Sequence, residues 1–531
     1  MKITLNKRYL ALPVSYNARE KRVLFYQGER LVFDLTARLD NLSPDTCFYV
    51  DMGRFFGEEL TVATDPVMDI RISQTNSPEL CDLYREKYRP AAHFSAAQGW
   101  INDPNGLIHY KGVYHMFFQH NPAGRDWGNM HWGHAVSTDL MHWEEVDIAL
   151  FPDETGSMFS GSGIEDIHNL TGLKETEHNP ILLFYTAAGG KSALSKGKKF
   201  TQCMAYSTDG GQTFRKYSGN PLIRETVEGN RDPKVVYNPE AGCYYLALFL
   251  KGNRYALYVS KDLINWSWRQ ELTLQEDGEC PDLYPLTLEG EREPYWVFTG
   301  ASDRYLVGRF DEEGLFQPVQ PAMRLHYGTN SYAAQTFSGA PDGRIIRLAW
   351  NTARIPGTPF NCAMCTPVEM KLRTVQDEIR LCALPVPEIE GLYANHWETG
   401  EKIIRKGDPM LCPLAGKAQD IRISLTFGGG SPFRLSLLGI DFDVHPLDNC
   451  LKHKNITMPL FSEKGEIRLR IITDTNGVEV FANRGEAFLC VGHIADYNLD
   501  KLIISSKEND ITVHKIEIDT LQNIWNNKKG G

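Results

Sequence analysis

At 531 residues, with 42% hydrophobic and 23% charged residues, the chain has ordinary soluble composition and is too long for a single core, which implies about two to four domains. Its net charge of -11 and lack of basic clusters exclude a surface built for nucleic acid. No apolar run in the chain is long enough to span a bilayer as a helix, so no membrane-spanning helix is expected within it. The N-terminal stretch lacks the apolar core of a secretory signal, and the 11 cysteines are odd in number and have no framework spacing. Reduced thiols and a cytoplasmic address are expected.

Strand patterning runs from end to end. Leu31, Phe33, Leu35, Ala37 and Leu39 alternate with Val32, Asp34, Thr36 and Arg38, the period of two of a half-buried strand. The best helical candidate is "SPELCDLYREKY" at 77 to 88, with Ser77 as N-cap and Pro78 in the first turn. Farther on, "STDLMHWEE" from Ser137, "STDGGQTFRKY" from Ser207 and "SKDLINWSW" from Ser260 repeat one strand–turn–strand corner, which suits the blades of a β-propeller. "ALPVPEIEGL" at 383 to 392 reads as a linker, and "IRISLTF", "IRLRI" and "ITVHKIEI" near the C-terminus alternate as cleanly as the first segment. The expected organisation is a β-rich domain over 1–88, a propeller over 89–383, a linker over 384–392, a further β-domain over 393–520 and a disordered tail over 521–531.

The middle segment holds carboxylates in unusual company. Asp103 opens "DPNG", a sequence suited to a type I turn, between Trp100 and the strand-like "LIHY". Asp232 precedes Pro233 in "GNRDPKVVY", and Glu279 and Asp282 flank a proline in "DGECPDLYPL". Each lies where a loop enters a strand, so a propeller brings them to one funnel mouth. Nearby "FFQHNPAGRDWGNMHWGH" (117 to 134) supplies aromatic faces and amides, which suit a sugar. Two carboxylates in a sugar pocket point to glycoside hydrolysis. Solvated loop acids are the alternative. The pair Cys362 and Cys365 in "CAMC" lacks the second pair of a zinc site and reads as ordinary core cysteine.

The stretches "GWINDPNG", "FFQHNP", "WGNMHWGHAVS", "FSGS", "RDPKV" and "ECPDLYPL", in that order, closely resemble glycoside hydrolase family 32, the β-fructosidases; "RIITDTNGVEVFAN" at 470 to 483 resembles that family's C-terminal signature. The resemblance covers 89 to 520 and implies an all-β fold, a five-bladed β-propeller followed by a β-sandwich, with 1–88 as a small additional N-terminal domain. It implies Asp103 as nucleophile, Glu279 as acid/base and Asp232 as the residue gripping fructose hydroxyls. Asn102, Gln119, Trp127, Phe159, Ser160, Arg231 and Trp350 match the family's fructose pocket. No metal or cofactor is implied. Retention would require carboxyls about 5 to 5.5 Å apart and a higher pKa on Glu279 than on Asp103.

"YGTNSYAAQTF" (327 to 337) departs from the family's usual D-F-Y, and "AWNTARIPGTPFNCAM" (349 to 364) resembles levanases and exo-inulinases. Exo-cleavage of terminal β-fructose from fructans, fructo-oligosaccharides and secondarily sucrose is therefore expected, with a fructosyltransferase or a non-catalytic sugar-binding propeller as alternatives. The expected partner is a small fructoside, with no nucleic acid and no membrane; a homo-oligomer is compatible with the sequence.

Overall fold

The computed structural model describes residues 1–427, 432–461, 465–506 and 508–526. Among them helix is confined to three short 3-10 segments, Gly53–Phe55, Pro341–Gly343 and Pro387–Leu392. The rest is strand and turn, and no helix is long and apolar enough to cross a membrane.

The first unit packs a four-stranded sheet (Lys2–Thr4, Glu59–Asp65, Lys21–Gln27 and Arg30–Ala37, in that spatial order) on a three-stranded one (Thr46–Asp51, Tyr9–Val14, Ser73–Thr75). The alternation read from sequence is literal. Phe33, Leu35 and Ala37 enter the core with Leu10, Leu12, Val23, Phe25 and Phe48, while Asp34, Thr36 and Arg38 face outward.

From Gly99 to Pro385 the chain folds into five successive antiparallel sheets of four main strands each. Their innermost strands are Gly99–Tyr110, Ser157–Glu165, Arg231–Asn238, Asp282–Thr287 and Ser331–Thr336, and each neighbours the next, with the fifth beside the first. This closed ring is a β-propeller. Phe360–Asn361, from the last sheet's segment, pairs in parallel with Gly99 and Trp100 of the first and ties the ring shut. The recurrent S-x-D corner sits where the third strand turns into the fourth in the first three sheets. There the hydroxyls of Ser137, Ser207 and Ser260 donate to Asp139, Asp209 and Asp262 at 3.0, 2.7 and 3.0 Å. Each aspartate then accepts backbone N–H groups of its turn, His142, Gln212 and Asn265 among them, so a local hydrogen-bonding device repeats once in each of these three blades.

Two sheets follow and pack face to face. One is built around Ala418–Phe427, Glu466–Asp474, Gly477–Ala482 and Ile511–Leu521, the other around Phe433–Leu437, Ile440–His445 and Lys501–Ser506. Ile421, Ile423, Leu435, Phe442, Leu469, Val480, Leu502 and Ile504 fill the space between. The fold is thus all-β, a propeller followed by a β-sandwich, with a small β-domain in front.

Two expectations, the helix at 77 to 88 and the tail from 521, need correction. The segment 77 to 88 is a run of turns, not a helix. Asp82 and Tyr84 take φ of 52° and 61°, and Tyr84 stacks on Trp525 at 4.3 Å between ring centroids, so tertiary packing overrides a short pattern whose intrinsic helicity is marginal. The stretch 384 to 392 joins propeller to sandwich and is well packed: strand Glu378–Pro385 runs into the 3-10 turn Pro387–Leu392, with Ile389 and Leu392 in the propeller core. In the supposed tail, residues 521 to 526 are held in place by Ile524 and Trp525, which are buried in that same core, and Trp525 Nε1 donates to the Pro90 carbonyl at 2.7 Å. Residues 527 to 531 lie outside the described residues.

The C-terminal signature stretch finds its reason in the seam between propeller and sandwich. Asp474 accepts the Ala91 and Ala92 N–H groups, both at 2.8 Å, and His93 Nδ1 at 2.8 Å. Glu479 lies 3.6 Å from the other ring nitrogen, which also meets Thr366 Oγ1 at 2.9 Å. All three ionisable groups are buried. Burial opposes the imidazolium, but the two carboxylates prevail and raise the His93 pKa to about 10.

Candidate active site

The site is built from defects in the ring of inner strands. Pairing with the second strand shifts register between Ile101 and Pro104 in the first blade, Phe159 and Gly161 in the second, Arg231 and Lys234 in the third, and Tyr332 and Gln335 in the fifth. A bulge frees a residue from the ladder and re-aims its side chain. Those freed here include Asn102, Asp103, Ser160 and Asp232, all facing one cavity. In the fourth blade Glu279 precedes the inner strand. The residues DPNG therefore do not form a hairpin tip: they lie within strand Gly99–Tyr110, whose second register shift falls between Asn105 and Ile108. Gly106 is required there, because at φ +56° a Cβ would lie 2.6 Å from the Phe117 ring.

Left-handed backbone concentrates at the same place. Asp232, Glu279 and Cys280 have φ of 66°, 59° and 34°, conformations that L-residues adopt at some cost and that gather at functional sites.

The cavity holds about 870 Å³ and is lined by Asn102, Asp103, Gln119, Trp127, Phe159, Ser160, Arg231, Asp232, Glu279 and Trp350. These are the ten positions singled out in the sequence. Asp103 is held at both oxygens: Asn102 Nδ2 donates to Oδ1 at 3.0 Å and Ser160 Oγ to Oδ2 at 2.6 Å. Asn102 is itself fixed by Trp100 Nε1 at 2.9 Å. Gln119 donates to the Met158 carbonyl at 2.8 Å. Trp127, half exposed, stands edge-on to Phe159 at 5.8 Å and completes an aromatic wall.

Other lining residues were not singled out in the sequence, Tyr332, Cys280, Lys191 and Lys198 among them. Tyr332 donates its hydroxyl to Glu279 Oε2 at 2.5 Å. Cys280, buried inside the "ECPDL" motif, donates its thiol to Asp103 at 3.5 Å and to Asp232 at 3.6 Å. Lys191 and Lys198 belong to a rim loop that no motif covers. By contrast Asp282 turns away from the cavity to pair with buried Lys234 at 2.9 Å and accept the Thr336 N–H at 2.6 Å.

Electrostatics set the three acids apart. Burial raises the pKa of Asp103; the Ser160 and Asn102 hydrogen bonds oppose this and the Glu279 charge adds to it. Asp232 rises to about 7, chiefly by burial, with Arg231 opposing and the Asp103 and Glu279 charges reinforcing. Glu279 goes the other way. Burial would raise it, but the Tyr332 hydroxyl and Arg231, whose Nη2 donates to Oε1 at 2.5 Å, together bring it below the usual carboxylate range. The two shifts therefore run against the expected order of Asp103 and Glu279, because a guanidinium and a phenol occupy both oxygens of the latter.

A stability test follows from Asp232. A carboxyl whose folded pKa stands above its unfolded value contributes stability below about pH 4, and that contribution is lost as pH rises through about 7. Replacement by Asn removes the charge while keeping the shape. Asp232→Asn should raise the melting temperature at pH 8, by the equivalent of about 2–4 kcal/mol, and change it little at pH 4. A variant less stable than the parent at pH 8 would contradict the burial argument.

No metal-binding constellation lies in this cavity among the described residues. Elsewhere Cys365, Glu479 and Cys490 bring possible ligand atoms within 4.8 Å of one another, but the neighbouring His93 imidazolium opposes a cation there. His396, Glu398 and Glu517 do the same at the surface, where Lys515 bridges the two glutamates at 3.0 Å each.

A propeller whose inner strands present three acids, an arginine and an aromatic wall at one mouth defines a glycoside hydrolase. The chain belongs to glycosyl hydrolase family 32: the model of that family's N-terminal domain matches residues 93–385. It is 31% identical over 497 residues to a levanase of Bacillus subtilis (strain 168), covering 83% of this chain and 72% of that protein. An invertase of Schizosaccharomyces pombe is 35% identical over 324 residues, 55% of this chain and 54% of that one. The crystal structure of exo-inulinase from Aspergillus awamori superposes with a TM-score of 0.74 at 25% identity, covering 83% of this chain and all of that one.

Proposed function

We propose that the protein is a retaining exo-β-fructosidase that releases terminal β-D-fructofuranosyl units from fructans and fructo-oligosaccharides, and from sucrose as a secondary substrate. Similarity to a levanase, an exo-inulinase and an invertase supports a β-fructosidic substrate. The observation that carries the reading is the convergence of Asp103, Asp232 and Glu279, distant in sequence, on one cavity.

Asp103 attacks the anomeric carbon of the fructosyl unit. Its two held oxygens leave little orientational freedom to lose at that moment. The bond to the leaving oxygen breaks as Glu279 delivers a proton to it, leaving a fructosyl ester on Asp103. In the free site Arg231 and Tyr332 engage Glu279 as a carboxylate. A leaving-group oxygen arriving beside Oε1 takes Arg231's place and raises the Glu279 pKa for the donor step. Once Asp103 is an ester its charge is gone, which favours Glu279 as the base that draws a proton from water. Water then releases fructose with its configuration retained. Asp232, buried and poised near neutrality, binds sugar hydroxyls.

A fructosyltransferase would use the same ester, with a sugar hydroxyl in place of water. Incubation with sucrose, inulin, levan and short fructo-oligosaccharides, comparing kcat/KM and product sizes, tests the proposal. Free fructose as the dominant product, with higher kcat/KM on the oligosaccharides than on sucrose, is the expected outcome. Longer oligosaccharides at high sucrose would favour transfer, and no release from any of the four would overturn the reading.

A further inference from the structure

The N-terminal domain touches the propeller through several elements, Tyr49, Arg54, Arg8 and Tyr16 among them, and one of its strands is placed to shape the cavity. Arg30–Ala37 is the edge of its sheet, paired only with Lys21–Gln27, and its outward residues meet the two loops that form the rim. Asp34 accepts the Ala193 and Leu194 N–H groups at 2.8 and 3.1 Å. Asn129 accepts the Thr36 N–H at 2.7 Å and donates to the Thr36 carbonyl at 2.8 Å, so a side-chain amide completes the free edge of the strand. Arg38, just past the strand, reaches Asp126 at 3.5 Å. Asp126 and Asn129 bracket Trp127, and Ala193 and Leu194 lie between Lys191 and Lys198.

The loop 189–199 joins the second and third strands of the second blade. It closes on buried Ser195, whose carbonyl accepts the Gly190 and Lys198 N–H groups at 2.9 and 3.0 Å. Its Lys191 ammonium lies 5.8 Å from the centroid of Phe200, and Phe200 stands edge-on to Phe159 at 5.5 Å. The lysine loop thus continues the aromatic wall that ends at Trp127. The acids lie at the floor, whereas Lys191, Lys198 and Lys199 are exposed at the mouth. A cavity of about 870 Å³ has room for more than one sugar ring.

We infer that the N-terminal domain is a positioning element of the reaction, with Asp34 holding loop 189–199 so that its lysines and the aromatic wall grip the sugar beyond the scissile bond. This rests on the β-fructosidase reading and extends it: the domain sets preference among leaving groups and does not bind carbohydrate on its own. Removing Asp34 should free the loop and leave the floor intact.

Asp34→Ala tests this with two readouts on the full chain. Hydrogen exchange should speed up about tenfold across 189–199 and remain unchanged in strand Gly99–Tyr110. For a fructo-oligosaccharide of three or more units, kcat/KM should fall about tenfold, mainly through KM, while it changes less than about twofold for methyl β-D-fructofuranoside, which has almost no leaving-group surface. Inhibition by free fructose should also be unchanged. The double variant Lys191→Ala/Lys198→Ala, which leaves the domain contact intact, should reproduce the kinetic split if Asp34→Ala folds poorly. Equal losses on both substrates, or none, in either folded variant would overturn the inference, as would unchanged exchange in the loop. If the parent chain released no fructose from either substrate, the fault would lie with the β-fructosidase reading, and loop exchange would still decide whether Asp34 positions the rim.

Discussion

Asp103→Asn should lose at least about 10⁴-fold in kcat on sucrose and on fructo-oligosaccharides, equivalent to about 5.5 kcal/mol of transition-state stabilisation. The exchange keeps the side-chain volume and an oxygen for Ser160 Oγ to donate to, so the pocket should retain its shape. What disappears is the attacking carboxylate, and an amide oxygen does not form the ester. Folding should not suffer, since burial already disfavours the Asp103 charge; the variant should melt at or above the parent temperature at pH 7. Steady-state rates with a melting curve on the same sample check both halves. Turnover within tenfold of the parent would remove Asp103 from the nucleophile's role.

The second large effect is on stability and lies far from the chemistry. His93→Gln should cost about 3–5 kcal/mol at pH 7, because it leaves Asp474 and Glu479 buried as charges without their cation. The pH dependence has a definite sign. His93 is raised to about 10, so its contribution is complete below about pH 6.5 and is lost as pH rises through about 10. Asp474 and Glu479 are lowered, burial being outweighed by the His93 hydrogen bonds, so theirs is present above about pH 4 and lost as pH falls through their depressed values. The difference in melting temperature between parent and variant should therefore be largest between these limits and shrink outside them. Thermal melts from pH 4 to pH 10 measure this. A variant as stable as the parent at pH 7 would mean that the seam is held by its apolar contacts alone.

The parts of the fold legible in sequence were those written in local chemistry. The alternation of Phe33, Leu35 and Ala37 with Asp34, Thr36 and Arg38 showed a strand because burial on one face imposes a period of two. The S-x-D corners recur because the first three blades make the same turn in the same place. The acids were found because D-P and E-C-P steps interrupt otherwise apolar strands. What escaped depends on distant partners. The stretch 77 to 88 carries a helical pattern, but Trp525, more than four hundred residues away, takes Tyr84 as a stacking partner. Tyr332 has no local mark that would bring its hydroxyl to Glu279. The lowered Glu279 pKa depends on that phenol and on Arg231 together, so the direction of its shift was not accessible before its neighbours were placed. Asp34 showed its strand face in sequence, though not the loop that it caps.

The account rests on Asp103 forming a covalent bond to the sugar while Glu279 moves the proton. The most direct measurement uses Glu279→Ala with β-D-fructosyl fluoride, whose leaving group needs no proton. The first step should then proceed, and the second, without its base, should stall. Peptide mapping by mass spectrometry is predicted to find one fructosyl unit on the peptide containing Asp103, accumulating to nearly one per chain. A fructosyl adduct on any other residue, or fluoride release with the Asp103 peptide unmodified throughout, would contradict the mechanism.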